Sequence, residues 1–222
     1  SHIGIWINGY YGSGKSHFLK YASYCLSQNK QRCEMAFIRL IEATEDIMHH
    51  TTGISKLEQE GVSVSELKAL QKWYVSQADV EMVMFNIGDV HDVNADQKTA
   101  FTTIFWNQFN AQRGYNSFNL SLAQYLEKAL DDNGKFQEFK DYDWERNISR
   151  FAAGRLDLAL QMAKEVDPTL STDVIRTRIL NNEVNVSVEA FAAEMKEFIE
   201  NKHNRNFRIL FFVDEVSQFI GE

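Results

Sequence analysis

The stretch "GIWINGYYGSGKSHFLK", Gly4 to Lys20, decides how the chain is read. An apolar run ends at Asn8, a loop with glycines at 9, 12 and 14 follows, and the loop lands on Lys15. Gly9, Gly14, Lys15 and Ser16 match G-x-x-x-x-G-K-[ST]. That spacing has a mechanical reason. Backbone N–H groups must turn inward around phosphate oxygens, and glycine permits the approach. Lys15 supplies a point charge for the outer phosphates, and the Ser16 hydroxyl suits Mg²⁺. A helix beginning near Lys15 adds free N–H groups and the positive end of its dipole. A glycine-rich turn is the alternative, but chance produces the pattern in only ~1% of chains this long. The loop's position between an apolar run and an amphipathic run favours the phosphate reading further. The predicted nucleotide contacts are Gly9, Tyr10, Tyr11, Gly12, Ser13, Gly14, Lys15, Ser16 and His17. Tyr10 and Tyr11 either stack on a ligand or pack on the loop's outer face, the second reading being favoured.

Near the other end, "RILFFVDEVSQ" is an apolar strand running into Asp214 and Glu215. In a parallel sheet, ligands bind beyond the strand C-termini, so this pair is expected on the edge that carries the loop. Asp214 is predicted to hold Mg²⁺ through a water. Glu215 is predicted to orient and deprotonate the attacking water, with Lys15 the second catalytic group. An acid beside the metal-binding Asp suits hydrolysis better than phosphoryl transfer to a small acceptor. No LSGGQ-like segment precedes the acidic strand, and Asp214 is followed by "EVS" where a GTPase would show D-x-x-G.

Between these ends, "VEMVMFNIG" reads as another strand, stopped by Gly88. Strands are predicted near 2–8, 80–87 and 207–213, separated by helices, which implies a parallel α/β sheet. "KSHFLKYASYCLSQN" reads as a helix with Phe18, Ala22, Cys25 and Leu26 on one face. "EMAFIRLI" fits either a strand or a helix. Ser63 and Glu66 stand at capping-box spacing, as do Ser121 and Gln124. Residues 95–204 are helical almost throughout and form an insertion between the second and third strands. Within it, Val188, Phe191, Ala192, Met195, Phe198 and Ile199 share one face. Phe101, Phe105, Trp106 and Phe109 suit helix packing.

Lesser clusters carry less chemistry. Asp89, His91, Asp92 and Asp96 fit no standard calcium loop and read as a turn with a helix cap. Their place near the nucleotide edge leaves Asp89 or His91 able to touch a neighbouring subunit or the metal's outer shell. His49 and His50 have no matching ligand set. Cys25 and Cys33 lack CxxC spacing and read as reduced structural thiols.

The 222 residues are 44% hydrophobic and carry a formal net charge of −8. That is a folded domain with a core, and with this acidic balance no direct nucleic-acid binding by this segment is expected. No apolar run approaches transmembrane length and no signal segment opens the chain, so no membrane association is expected.

The blocks "WINGYYGSGKSHFLK", "VMFNIGD" and "RILFFVDEVSQFIG", in that order, resemble the P-loop ATPase of BREX phage-defence systems, the BrxC/PglY type. The resemblance implies an AAA+/ASCE-like fold, Mg-ATP as ligand, a bacterial cytoplasmic location, homo-oligomers of the full-length protein and other BREX components as partners. It implies that residues 1–222 form one partial P-loop domain. Further strands, with a sensor residue and a trans-acting arginine, would follow the acidic strand, so the sheet is expected to be incomplete at the C-terminus. A nucleotide-dependent oligomerising scaffold with little turnover is the competing reading.

Overall fold

The computed structural model describes residues 4–7, 9–10, 12–50, 63–89, 97–141 and 155–216, without side chains at 43–50 and 97–98. His91, Asp92, Asp96, Tyr11 and the side chains of His49 and His50 lie outside what is described. The chain divides into two compact units, Ser1–Gly88 with Glu197–Glu222, and Asp89–Lys196.

The first unit holds helices α1 (Lys15–Cys25), α2 (Lys30–His50) and α3 (Val64–Gln77), then strand β1 (Asp79–Asn86). Strand β2 (Phe207–Asp214) completes it. β1 and β2 pair in parallel, from Asp79 opposite Phe207 to Asn86 opposite Asp214. This register brings the polar ends of both strands to one edge. "EMAFIRLI" is helical, inside α2. Its Cys33, Ala36 and Phe37 are buried with Cys25, Tyr74 and Val80 in one core. Polar atoms in this core are satisfied: the Tyr74 hydroxyl donates to Leu26 O at 2.5 Å, and Tyr21 donates to Ala36 O at 2.7 Å. Burial pushes the Tyr74 hydroxyl up to about 12. Both cysteines are buried and unbridged. The capping box at α3 forms in both directions, Ser63 accepting from Glu66 N and Glu66 accepting from Ser63 N.

Two expectations fail here. Residues 4–7 belong to no strand, with Ile5 89% and Trp6 60% exposed. A strand exists only where a neighbour takes its N–H and C=O groups, and among the described residues the sheet is β1 and β2 alone. An apolar run states burial preference, not pairing. Phe18 is 58% exposed and drops out of the predicted face of α1, on which Cys25 is buried and Leu26 packs against the core, while Ser23 is buried as well. Ser23 tolerates burial because its hydroxyl donates to Lys20 O at 2.7 Å.

The second unit is helical. It contains α4 (Gln97–Arg113), α5 (Leu120–Leu122), a π turn (Ala123–Glu127), α6 (Lys128–Asp132) and α7 (Phe136–Asp141). α8 (Leu156–Val166), α9 (Thr172–Leu180) and most of α10 (Val188–Glu200) follow. Leu126, Leu130, Phe139, Ala159 and Ala163 centre its core. The helix at Leu120 is capped by Asn119, which accepts from Leu122 N at 2.9 Å. Ser121 instead donates to Asn182 Oδ1 at 2.6 Å, which corrects the predicted cap. Trp106 and Phe109 pack against Phe191, as helix packing required. Val188, placed on the buried face by spacing, is exposed.

A buried polar knot joins α4 to α10. The Trp106 indole N–H donates to Glu194 Oε2 at 2.8 Å, Gln124 donates to Oε1 at 3.3 Å, and Arg113 pairs with the same carboxylate. The Arg113 guanidinium also lies 4.1 Å above the Phe109 ring centre. Among the described residues, no helix is long and apolar enough to cross a membrane.

Candidate functional site

The loop before α1 is shaped by two glycines that adopt a left-handed backbone, Gly12 at φ 79° and Gly14 at φ 85°. A side chain is strained in that region, which explains glycine at both positions. Gly14 is the residue before α1, and its carbonyl accepts Phe18 N at 2.8 Å. Ser13 N donates to Tyr10 O at 3.1 Å and closes the loop. A Cβ on Gly9 would stand 2.5 Å from Ser13 Oγ, so the two loop ends approach closely.

Lys15 opens α1 and folds back over the loop. Its Nζ donates to Gly9 O at 2.7 Å and to Tyr10 O at 2.9 Å. The ammonium therefore sits against the loop backbone that a phosphate would share. Ser16 and His17 follow in the first turn of α1, both exposed. Tyr10 is 92% exposed, so the reading that packed its ring on the loop is corrected.

Asp214 ends β2 and Glu215 follows it. Asp214 Oδ1 accepts Glu215 N at 2.9 Å, which helps hold Glu215 in a left-handed conformation at φ 58°. The Glu215 carboxylate is met from β1: Asn86 Nδ2 donates to Oε2 at 2.7 Å. Asn86 Oδ1 in turn accepts Gly88 N at 2.9 Å, so both ends of the amide are engaged. α1 packs on β2. No hydrogen bond joins the loop to Asp214 or Glu215 among the described residues.

Asn86 is the site residue that sequence reading missed. Its signal was the polar residue ending "VEMVMFN", but its meaning depends on the register that sets it opposite Asp214. Asp89 ends the short 3-10 turn Ile87–Asp89, in line with the predicted turn.

With this geometry in hand, the comparison with known families is decisive. The model of the KAP family P-loop domain matches residues 1–218. The chain belongs to the KAP family. No solved structure matches it. Membership makes this KAP chain a P-loop NTPase domain, an α/β protein whose described sheet is a small parallel pair among many helices. Such a KAP domain is a nucleotide-binding module.

The donor set suits Mg²⁺. That ion takes hard oxygen ligands and usually keeps several waters, needing one or two protein oxygens beside the substrate phosphates. Ser16 offers a hydroxyl, and Asp214 keeps Oδ2 clear of the Glu215 N bond. A dense protein cage is not required, and among the described residues no group of three or more His, Cys, Asp or Glu side chains forms one.

Proposed function

We propose that this KAP domain binds ATP at residues 9–17 and hydrolyses it. The observation that carries the reading is the loop conformation. Two left-handed glycines turn the backbone at the start of α1 and put the Lys15 ammonium on the loop. Lys15 and the free N–H groups at the helix start would hold the phosphates. Ser16 and Asp214 would hold Mg²⁺, which neutralises charge on the outer phosphates when bound.

Glu215 would position the attacking water and take its proton. The water oxygen then bonds to the terminal phosphorus as the bond to the ADP oxygen breaks, giving ADP and phosphate. The adjacent acids after the strand support hydrolysis over transfer to another acceptor. The sequence resemblance to BREX phage-defence ATPases supports a place in a bacterial defence assembly, working as an oligomer with other components in the cytoplasm.

The test is phosphate release by wild type and Glu215→Gln. The amide keeps the shape but cannot accept the proton, so turnover should fall by about 10²–10⁴ while ATP stays bound. Undiminished turnover would move the base elsewhere. Tight ATP binding with no phosphate release from wild type would replace the hydrolase by a nucleotide-dependent scaffold.

A further inference from the structure

We propose that the second unit binds an ordered internal water through Asn107, Asn110 and Arg113 of α4. Three side-chain atoms there are shielded from solvent and meet no hydrogen-bond partner among the described residues: Asn107 Oδ1, Asn110 Nδ2 and Arg113 Nε. Buried polar atoms are nearly always paired, with protein or with ordered water, because an unpaired one forfeits its hydration.

The three residues are spaced by three, so neighbouring members stand on adjacent turns of one helix face. Asn110 is fully buried, and the Arg113 side chain is 9% exposed. Arg113 folds back over the turn before it. Its guanidinium lies 4.1 Å from the Phe109 ring centre and 4.4 Å from that of Tyr115, and its Nη2 donates to Asn110 Oδ1. That bond fixes the Asn110 amide. A guanidinium only donates, so the amide oxygen must face it, and turning the amide over would set donor against donor. Asn110 Nδ2 therefore stays a donor in need of an acceptor, as Arg113 Nε does. The nearby Glu194 carboxylate is already engaged by the Trp106 indole, Gln124 and Arg113 Nη2.

Two donors and one acceptor select the occupant. A water accepts from both donors and donates to Asn107 Oδ1, and buried waters make about three such bonds. An anion would face Asn107 Oδ1 and the Glu194 carboxylate. A cation would face the Arg113 charge and the amide hydrogens of Asn110. The neutral molecule that both donates and accepts is the one that fits. It completes the polar seam shared by α4, the π turn and α10, whether or not the first unit binds nucleotide.

The experiment uses the full chain as wild type, Asn107→Leu and Asn110→Leu. In protein labelled at asparagine and arginine, NMR should show water cross-peaks to the Asn110 amide protons and to Arg113 Nε–H. Magnetic relaxation dispersion of the water oxygen counts long-lived internal waters, and each leucine variant should hold one fewer than wild type. Leucine removes a polar partner while keeping the side chain's bulk. In Asn107→Leu the Trp106 indole N–H resonance, which reports the Glu194 contact, should stay in place. An unchanged water count in that variant would overturn the proposal. So would missing water cross-peaks in wild type, a readout that needs no variant to fold.

Discussion

Lys15 Nζ lies 2.7 Å from the carbonyl oxygen of Gly9, six residues earlier in the chain. The cation therefore bridges the two ends of its own loop. A phosphate bound in the loop would compete for that ammonium, and the carbonyls of Gly9 and Tyr10 would give it up. The exchange would swap neutral acceptors for anionic ones, which bind an ammonium about twice as strongly.

The two left-handed glycines set the loop's shape. Gly14→Ala should lower ATP affinity about tenfold, because an L-residue costs roughly 1–2 kcal/mol in that backbone region. Gly9→Ala should cost less, since the clash is with the short, rotatable Ser13 hydroxyl. Titration calorimetry of both variants checks the order. Equal affinity for Gly14→Ala and wild type would show that the loop tolerates another conformation.

Asp214→Asn should weaken ATP binding only when Mg²⁺ is present. The amide keeps an acceptor for Glu215 N but loses the negative charge that favours the cation. Titrations with Mg²⁺ and with chelator separate the two conditions. A loss of equal size in both would assign Asp214 to the fold instead of the metal.

Much of this site was legible because it is local. The glycine loop occupies consecutive residues, and Asp214 and Glu215 are adjacent, so short spacings carried the chemistry. Asn86 was not legible, because its partner Glu215 lies 129 residues away along the chain. The same reason undid the strand expected near 2–8, whose apolar residues name no partner. Ser121 misled for a subtler cause. It has capping-box spacing to Gln124, but Asn119 lies two residues earlier and caps first, leaving Ser121 to reach Asn182. β1 and β2 were found because each combines an apolar run with a polar stop.

The second unit carries a buried acid with a pH signature. Glu127 is 3% exposed, and burial pushes its carboxyl up to about 7, against the opposing pull of Asn116 N–H and the Lys140 and Arg113 charges. In the unfolded chain it titrates near 4.5. Between these values the folded protein binds a proton the unfolded chain has lost, so stability falls as pH rises through that window. Glu127→Gln keeps an acceptor for Asn116 N and removes the charge. It should stabilise the protein at pH 8 by on the order of 3 kcal/mol and have little effect at pH 4. Denaturant unfolding at both pH values checks this, and an equal effect at each would contradict it.

Glu194→Ala should destabilise the second unit by about 3–5 kcal/mol, because it leaves the Arg113 charge buried without its carboxylate. It also removes the acceptor of the Trp106 indole, so the Trp106 environment changes with it. The double variant Glu194→Leu with Arg113→Met should recover most of the loss. Urea unfolding followed by tryptophan fluorescence reports both, and additive losses in the pair would mean that the two side chains act independently.

The central claim is that residues 9–17 hold the phosphates of ATP and that Lys15 supplies the charge. Titration calorimetry of Mg-ATP into wild type and Lys15→Ala tests it most directly. Losing a charge-assisted contact costs roughly 1.5–3 kcal/mol, so the variant should bind about tenfold or more weakly. Equal affinity in the two proteins would contradict the phosphate-loop account.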